Sequence, residues 1–192
     1  VLGWNIQIYH SVLAYSPPPP PGTDAVQIQG WHQDSGQLNA DLELHPRPRI
    51  SVKVGFFLSD CSQPGRANLW VVPGSHRREE IRIPDGTQPN GAEPVLCPAG
   101  GAVLFDRRIW HTASSNTCDV TRKVLLYGYS YRWLRPRDDQ SVEHLYERCD
   151  PIRRQLLGAS PTGGFGYTSP TDEDVPLRGW LREHLGEPAE PA

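Results

Sequence analysis

The chain has 192 residues, 37% hydrophobic and 21% charged, enough for one sizeable core. A net charge of −3 excludes the strong basic stripe of a nucleic-acid binder. No apolar run approaches the roughly 20 residues that span a bilayer. The expectation is one soluble domain over 1–192 with a small-molecule partner, neither nucleic acid nor membrane; oligomeric state is open. Cys61, Cys97, Cys118 and Cys149 are irregularly spaced with no C-x-x-C, which argues for reduced thiols in a cytoplasmic protein. Methionine is absent, so the chain is expected to be a fragment. Lys53 and Lys123 are the only lysines, and the pairs Arg77–Arg78, Arg107–Arg108 and Arg153–Arg154 read as solvated or ion-paired surface.

"NIQIYHSVLAY" is β-branched and aromatic and reads as a strand that runs into the stiff connector "SPPPPPG". "VQIQGWHQD" alternates like a half-buried strand and breaks at Ser35–Gly36. In "PRPRISVKVGFFLSD" Ile50, Val52, Val54 and Phe56 recur at period two with more polar residues opposite, the strongest strand signal in the chain. "CSQPGRAN" is a turn cluster and "LWVV" a short strand stopped by Pro73–Gly74. "IRIPDGTQPNGAEPVL" holds two glycine turns, "PAGGAVLFDRRIWH" is a turn and then a strand ending at His111, and "RKVLLYGYSYRW" returns as a strand after a polar loop. Short strands joined by Gly/Pro/Asn turns over about 4–134 predict a mainly β jelly roll. A helical segment over about 140–186 follows, broken by Pro151 and closed by an acidic-started helix that Gly186 stops; the tail "EPAEPA" is expected to be disordered.

His32–Asp34 is weak evidence alone, since seven histidines and 22 acidic residues in this length give about one His-x-Asp/Glu pair by chance. Residues i and i+2 of a strand share a face, however, so both side chains can reach one ion. His111 is placed to face the strand starting near Arg122 across a hairpin. Two histidines and a carboxylate on a β scaffold make the facial triad of non-haem Fe(II), and a guanidinium beside it suits a carboxylate cosubstrate. His76 in "PGSH" reads as a turn residue, and Trp31 and Trp110 as core packing. Tyr129, Tyr131 and Arg132 lie on the returning strand within possible reach of a ligand.

Taken together, "WHQD", "LSDCSQPGRANLWVVPGSHR", "CPAGGAVLFDRRIWHTASSNTCDVTRKVLLYGY", "YRWLRP" and "DPIRRQLLG" resemble the phytanoyl-CoA dioxygenase-like (PhyH) family of Fe(II)/2-oxoglutarate oxygenases. The resemblance implies a double-stranded β-helix (jelly roll, cupin-like) with C-terminal helices, with Fe(II), 2-oxoglutarate and O₂ as its chemistry. It implies that His32, Asp34 and His111 are iron ligands and that Arg122, reached through Asn116, binds the far carboxylate of 2-oxoglutarate. Many members carry a small hydroxyl residue two places after the distal histidine; Ala113 stands there, with Thr112 and Ser114 beside it, and Ser114 is the candidate cosubstrate contact. Tyr15–Ser16 replace a lysine common before the Pro/Gly connector, and the helical N-terminal region usual in the family is absent. Hydroxylation of an unactivated C–H is the expected reaction, because a halogenase frees a place for chloride by replacing the carboxylate. A desaturase, a non-catalytic metabolite-binding module and a zinc hydrolase are the other readings.

Overall fold

The computed structural model describes residues 2–23, 28, 30–84 and 88–186. Seven strands follow in chain order: β1 (Ile6–Ser16), β2 (Ser51–Phe57), β3 (Leu69–Val71), β4 (Glu93–Pro94), β5 (Ala102–Asp106), β6 (His111–Ala113) and β7 (Arg122–Tyr131). One sheet has the order β1-β7-β2-β5 and the other β4-β3-β6, a mainly β architecture of jelly-roll type. The helices are α1 (Gly36–Leu42), α2 (Pro151–Leu156) and α3 (Pro176–Leu185). Among the described residues no helix is long and apolar enough to cross a membrane.

The contacts define two compact units, one of Val1–Ser11, Ile50–Val52 and Tyr127–Ala192, the other of Val12–Arg49 and Lys53–Leu126. In the first, the helical segment is broken at Pro151, as expected: a 3-10 helix over Glu143–Arg148 ends and Pro151 opens α2, because a proline at the first helical position gives up an N–H that has no partner there anyway. Asp150 caps that helix by accepting the Arg153 N–H at 2.8 Å. The closing helix starts at Pro176, after the acidic run expected to lead it: Asp172 instead pairs with the Arg178 guanidinium and Asp174 accepts the Thr162 N–H. Gly186 terminates α3 with a left-handed φ of 62°, as expected.

In the second unit, β3 pairs antiparallel with β4 and β6, with Val71 opposite His111. The Gly-rich turn before β5 needs both its glycines: Gly100 has φ +83°, and a Cβ on Gly101 would fall 2.6 Å from Cys97 Sγ. Cys61 and Cys97 face each other in an antiparallel bridge and, with Phe57 and Val124, form the buried apolar cluster; both thiols are free.

Four expectations are corrected here. "AVLFDRRIWH" is two strands in different sheets, because the Asp106 carboxylate accepts the Arg108 backbone N–H and the Nε–Nη2 edge of its guanidinium, closing a turn in which Ile109 N bonds Asp106 O. β6 and β7 therefore form no hairpin, and His111 and Arg122 arrive from different sheets. On β2 the buried face carries Ser51, Lys53, Gly55 and Phe57, while Phe56 is 39% exposed. This strand lies between β7 and β5 and is buried on both faces over its first half, where Val52 and the preceding Ile50 are in the core; the apolar face turns outward only at Phe56, while Lys53, Gly55 and Phe57 on the other face line a cavity. Arg107 is fully buried rather than solvated, and it donates to Asn39 Oδ1, Asp34 O and Pro48 O. Of "VQIQGWHQD", Val26, Gln27 and Gln29 lie outside the described residues, and His32 is a single bridge residue. The tail "EPAEPA" and the first of the two glycine turns, at Asp85–Gly86, also lie outside them.

Candidate metal centre

The site is built by backbone pairing. His32 and His111 exchange both hydrogen bonds across an antiparallel bridge, His32 N to His111 O at 3.0 Å and His111 N to His32 O at 2.9 Å. Two residues on, Asp34 N donates to Arg107 O at 3.0 Å, and Asp34 O accepts from Asn39 Nδ2 and Arg107 Nη1. Ser35, with φ 62°, then turns the chain into α1, a helix that the glycine-turn reading missed; α1 supplies Asn39. The His-x-Asp segment is thereby fixed at both ends, and alternation puts His32 and Asp34 on one side. Gln33 points the other way and donates to Arg78 O and Arg108 O.

Both imidazoles are oriented alike. His32 Nδ1 lies 2.7 Å from Gly30 O and His111 Nδ1 lies 2.9 Å from Ile109 O, each carbonyl two residues upstream. A carbonyl only accepts, so Nδ1 carries the proton and Nε2 presents its lone pair, the arrangement that metal-binding histidines use. His111 is buried, which pushes its pKa below the ordinary value against the opposing pull of Asp34, and this favours the neutral ring a metal needs. Asp34 Oδ2 is buried with no hydrogen-bond partner among the described residues and lies 3.9 Å from His111 Nε2. One ligand atom from each of His32, Asp34 and His111 falls within 4.8 Å of the others. Two imidazole nitrogens and an orphaned carboxylate oxygen fit a divalent cation, since an unpaired buried carboxylate oxygen is costly until a cation meets it.

A cavity of about 240 Å³ adjoins these ligands, walled by Leu69, Val103, Phe105 and Leu126 among others. Arg122 enters it from β7. The guanidinium is 7% exposed, bonds to the Cys61 side chain and leaves Nε unpartnered, and no carboxylate among the described residues pairs with it. Burial lowers its pKa from the ordinary value, yet an arginine stays charged. Asn116 explains the loop before Arg122: its Nδ2 donates to Ser16 O and Val120 O and its Oδ1 accepts the Cys118 N–H. Thr112 and Ala113 line the cavity, whereas Ser114 does not, although its hydroxyl is buried without a partner among the described residues. Tyr129, Tyr131 and Arg132 are not among the lining residues, and His76 sits in the turn Ser75–Arg77, as expected. Trp31 is buried, and Trp110 is half-buried with Nε1 donating to Arg78 O.

Sequence reasoning missed Lys53. Its ammonium lies 2.8 Å from Asp34 Oδ1 inside the cavity, with both side chains 11% exposed. The signal was there, a lysine in the middle of the most β-like run of the chain, but alternation assigned it to the solvent side.

Comparison with known proteins bears on the fold and the family. The ThoJ–nickel complex, described as a non-heme monooxygenase, shares the fold with a TM-score of 0.52 at 19% identity, over 71% of this chain and 49% of that one. HygX from Streptomyces hygroscopicus, solved with nickel, 2-oxoglutarate and hygromycin B bound, gives 0.51 at 15% identity, over 68% and 58%. The uncharacterized protein Rv1501 of Mycobacterium tuberculosis is 31% identical over 144 residues, 73% of this chain and 50% of its own. Dioxygenase af480 of Aspergillus fumigatus is 32% identical over 139 residues, 68% and 44% respectively, so the chain spans about half the length of the curated relatives it matches. The family model for phytanoyl-CoA dioxygenase (PhyH) matches residues 4–124, which takes in the metal-ligand candidates, Arg122 and the cavity walls apart from Leu126, and the chain belongs to that family.

Proposed function

We propose that the protein is an Fe(II)- and 2-oxoglutarate-dependent dioxygenase that hydroxylates a C–H bond of a small organic molecule. His32, Asp34 and His111 hold the iron, and Arg122 takes the far carboxylate of 2-oxoglutarate. The observation that carries this reading is a buried guanidinium without a carboxylate partner among the described residues, in a cavity lined by His32 and His111, two of the three residues whose ligand atoms converge. Nickel, 2-oxoglutarate and hygromycin B held together in HygX, a protein of the same fold, are in keeping with it.

Iron, when bound, supplies the oxidising chemistry, with 2-oxoglutarate and O₂ consumed and succinate and CO₂ released. The protein supplies geometry. With only three protein ligands, a metal held there would keep places for the cosubstrate. The backbone carbonyls of Gly30 and Ile109 hold the two imidazoles in the tautomer that points Nε2 inward. Arg122 fixes one end of a dicarboxylate by a forked, charge-assisted contact, which sets how far the other end extends toward the ligands. The walls of Leu69, Val103, Phe105 and Leu126 keep bulk water from that contact. At about 240 Å³ the cavity is smaller than a pocket for a drug-sized molecule and suits the cosubstrate. Asp34 favours hydroxylation over halogenation, since its carboxylate fills the position chloride would take.

The test adds Fe(II) and 2-oxoglutarate anaerobically, reads the weak visible absorption of their complex, then admits O₂ and measures succinate. Wild type gives both signals. Asp34→Ala with His111→Ala loses both, and Arg122→Ala keeps metal binding while 2-oxoglutarate affinity falls about 30-fold or more. An unchanged band in the double variant, or equal losses of metal and 2-oxoglutarate in Arg122→Ala, sinks the assignment.

A further inference from the structure

Among the described residues Lys53 is the one lysine or arginine paired with the Asp34 carboxylate, and it touches only one of the two oxygens. Its ammonium lies 2.8 Å from Oδ1, while Oδ2 stays buried and unpartnered among the described residues, 3.9 Å from His111 Nε2. β2 holds it there, because Lys53, Gly55 and Phe57 share the cavity face of that strand. The residue type is informative. Lysine occurs at two places in a chain with 19 basic residues, and one of the two is buried at this spot. A guanidinium fork matches a carboxylate bidentately and tends to occupy both oxygens; an ammonium is a point charge and occupies one.

We propose that Lys53 is a positioning residue that holds Asp34 by Oδ1 and so confines the carboxylate to a single-oxygen contact with the metal. The inference rests on the metal-site reading above. Its consequence is that Lys53 trades metal affinity for open coordination positions. The ammonium's positive charge repels a divalent cation close by, yet without it the carboxylate can turn both oxygens to the metal and take a position that 2-oxoglutarate needs. The two affinities therefore respond to Lys53 in opposite directions.

The experiment titrates Ni(II) into the metal-free protein by calorimetry, then 2-oxoglutarate into the Ni(II)-loaded protein, for wild type, Lys53→Met and Lys53→Arg. Lys53→Met binds Ni(II) about tenfold more tightly, because a nearby like charge is gone, and binds 2-oxoglutarate about tenfold more weakly. Lys53→Arg keeps the charge but brings the fork to both oxygens, and it binds Ni(II) more weakly than wild type. A residue that merely supports the fold would weaken Ni(II) binding in both variants, and that result overturns the proposal, as does unchanged 2-oxoglutarate affinity in Lys53→Met. If Lys53→Met does not fold, Lys53→Arg decides alone: Ni(II) affinity equal to or above wild type overturns it. A wild type that binds neither Ni(II) nor 2-oxoglutarate overturns the metal-site reading itself, a result distinct from any difference between variants.

Discussion

Gln155 in one compact unit and the pair Asp34 and Arg122 in the other are all buried polar side chains, yet their hydrogen-bonding capacity is used differently. Gln155 is 1% exposed and satisfied from both ends: Nε2 donates to Trp4 O and Ile6 O, and Oε1 accepts the Leu177 N–H. Asp174 beside it accepts from Thr162 N, Thr162 Oγ1 and Thr171 Oγ1. Asp34 and Arg122 keep Oδ2 and Nε unmet. Folding alone does not select the second arrangement, since an unmet buried polar atom costs about 1–3 kcal/mol. A satisfied cluster ties segments together, whereas an unsatisfied one is built for something the chain does not itself contain. Arg132 marks the boundary of the rule: Nη1 is unmet, but Nη2 reaches Ala159 O and the Asp174 charge is close.

The contrast can be broken from the satisfied side first. Gln155→Ala strands three backbone groups that link the chain start to α2 and α3, each worth about 1 kcal/mol, so a loss of about 3 kcal/mol is expected in urea denaturation. Ni(II) and 2-oxoglutarate affinities of the folded variant stay at wild-type values. A cost under about 1 kcal/mol means the amide contributes no more than an ordinary exposed bond.

From the unsatisfied side the sign reverses. Arg122→Met removes a buried charge that has no carboxylate and keeps an unbranched stem against Cys61 and Val124. The metal-free protein is expected to gain about 1–2 kcal/mol in the same denaturation. Saturating 2-oxoglutarate with Ni(II) stabilises wild type through its binding energy and leaves this variant's midpoint at its Ni(II)-only value. A destabilised Arg122→Met shows instead that the guanidinium is structurally paired, and the contrast between the two clusters fails.

Much of this was legible in the sequence, for reasons that differ residue by residue. His32 and Asp34 share a face because of strand parity alone, and the structure keeps them together even though the strand is little more than one bridge. His111 was legible as a strand-end histidine, but its partner was not: the sequence pairs it with the strand at Arg122, while the fold pairs it with His32 and Val71. Pairing is a long-range choice that periodicity does not encode. The split between β5 and β6 was hidden because "AVLFDRRIWH" carries no glycine or proline between its two apolar stretches, and the break depends on Asp106 folding back onto Arg108. Arg107 was misread because charge predicts exposure on average, which fails where the interior gives the charge partners, here three acceptors; the partner of Lys53, Asp34 Oδ1, was out of reach because it is a long-range contact.

Asp106 sharpens the comparison by a smaller effect, as a largely buried carboxylate whose partners are all present. Burial pushes its pKa up, but the side-chain and backbone hydrogen bonds from Arg108 and the Arg108 charge outweigh that and hold the group below its ordinary value. A carboxylate depressed in the folded state binds protons less readily there than in the unfolded chain, so it adds stability above the unfolded pKa of about 4 and loses it as pH falls through the lower folded value. Asp106→Asn keeps one acceptor for the Arg108 N–H and discards the charge, at an expected cost of about 1 kcal/mol near neutral pH. Below about pH 4 the difference from wild type should shrink as the native carboxyl becomes protonated. Urea denaturation of both proteins at pH 7 and at steps below pH 4 reads this directly. A gap that stays constant with pH means the turn is held by shape and backbone bonds, and a gap that widens on acidification contradicts a paired, ionised Asp106.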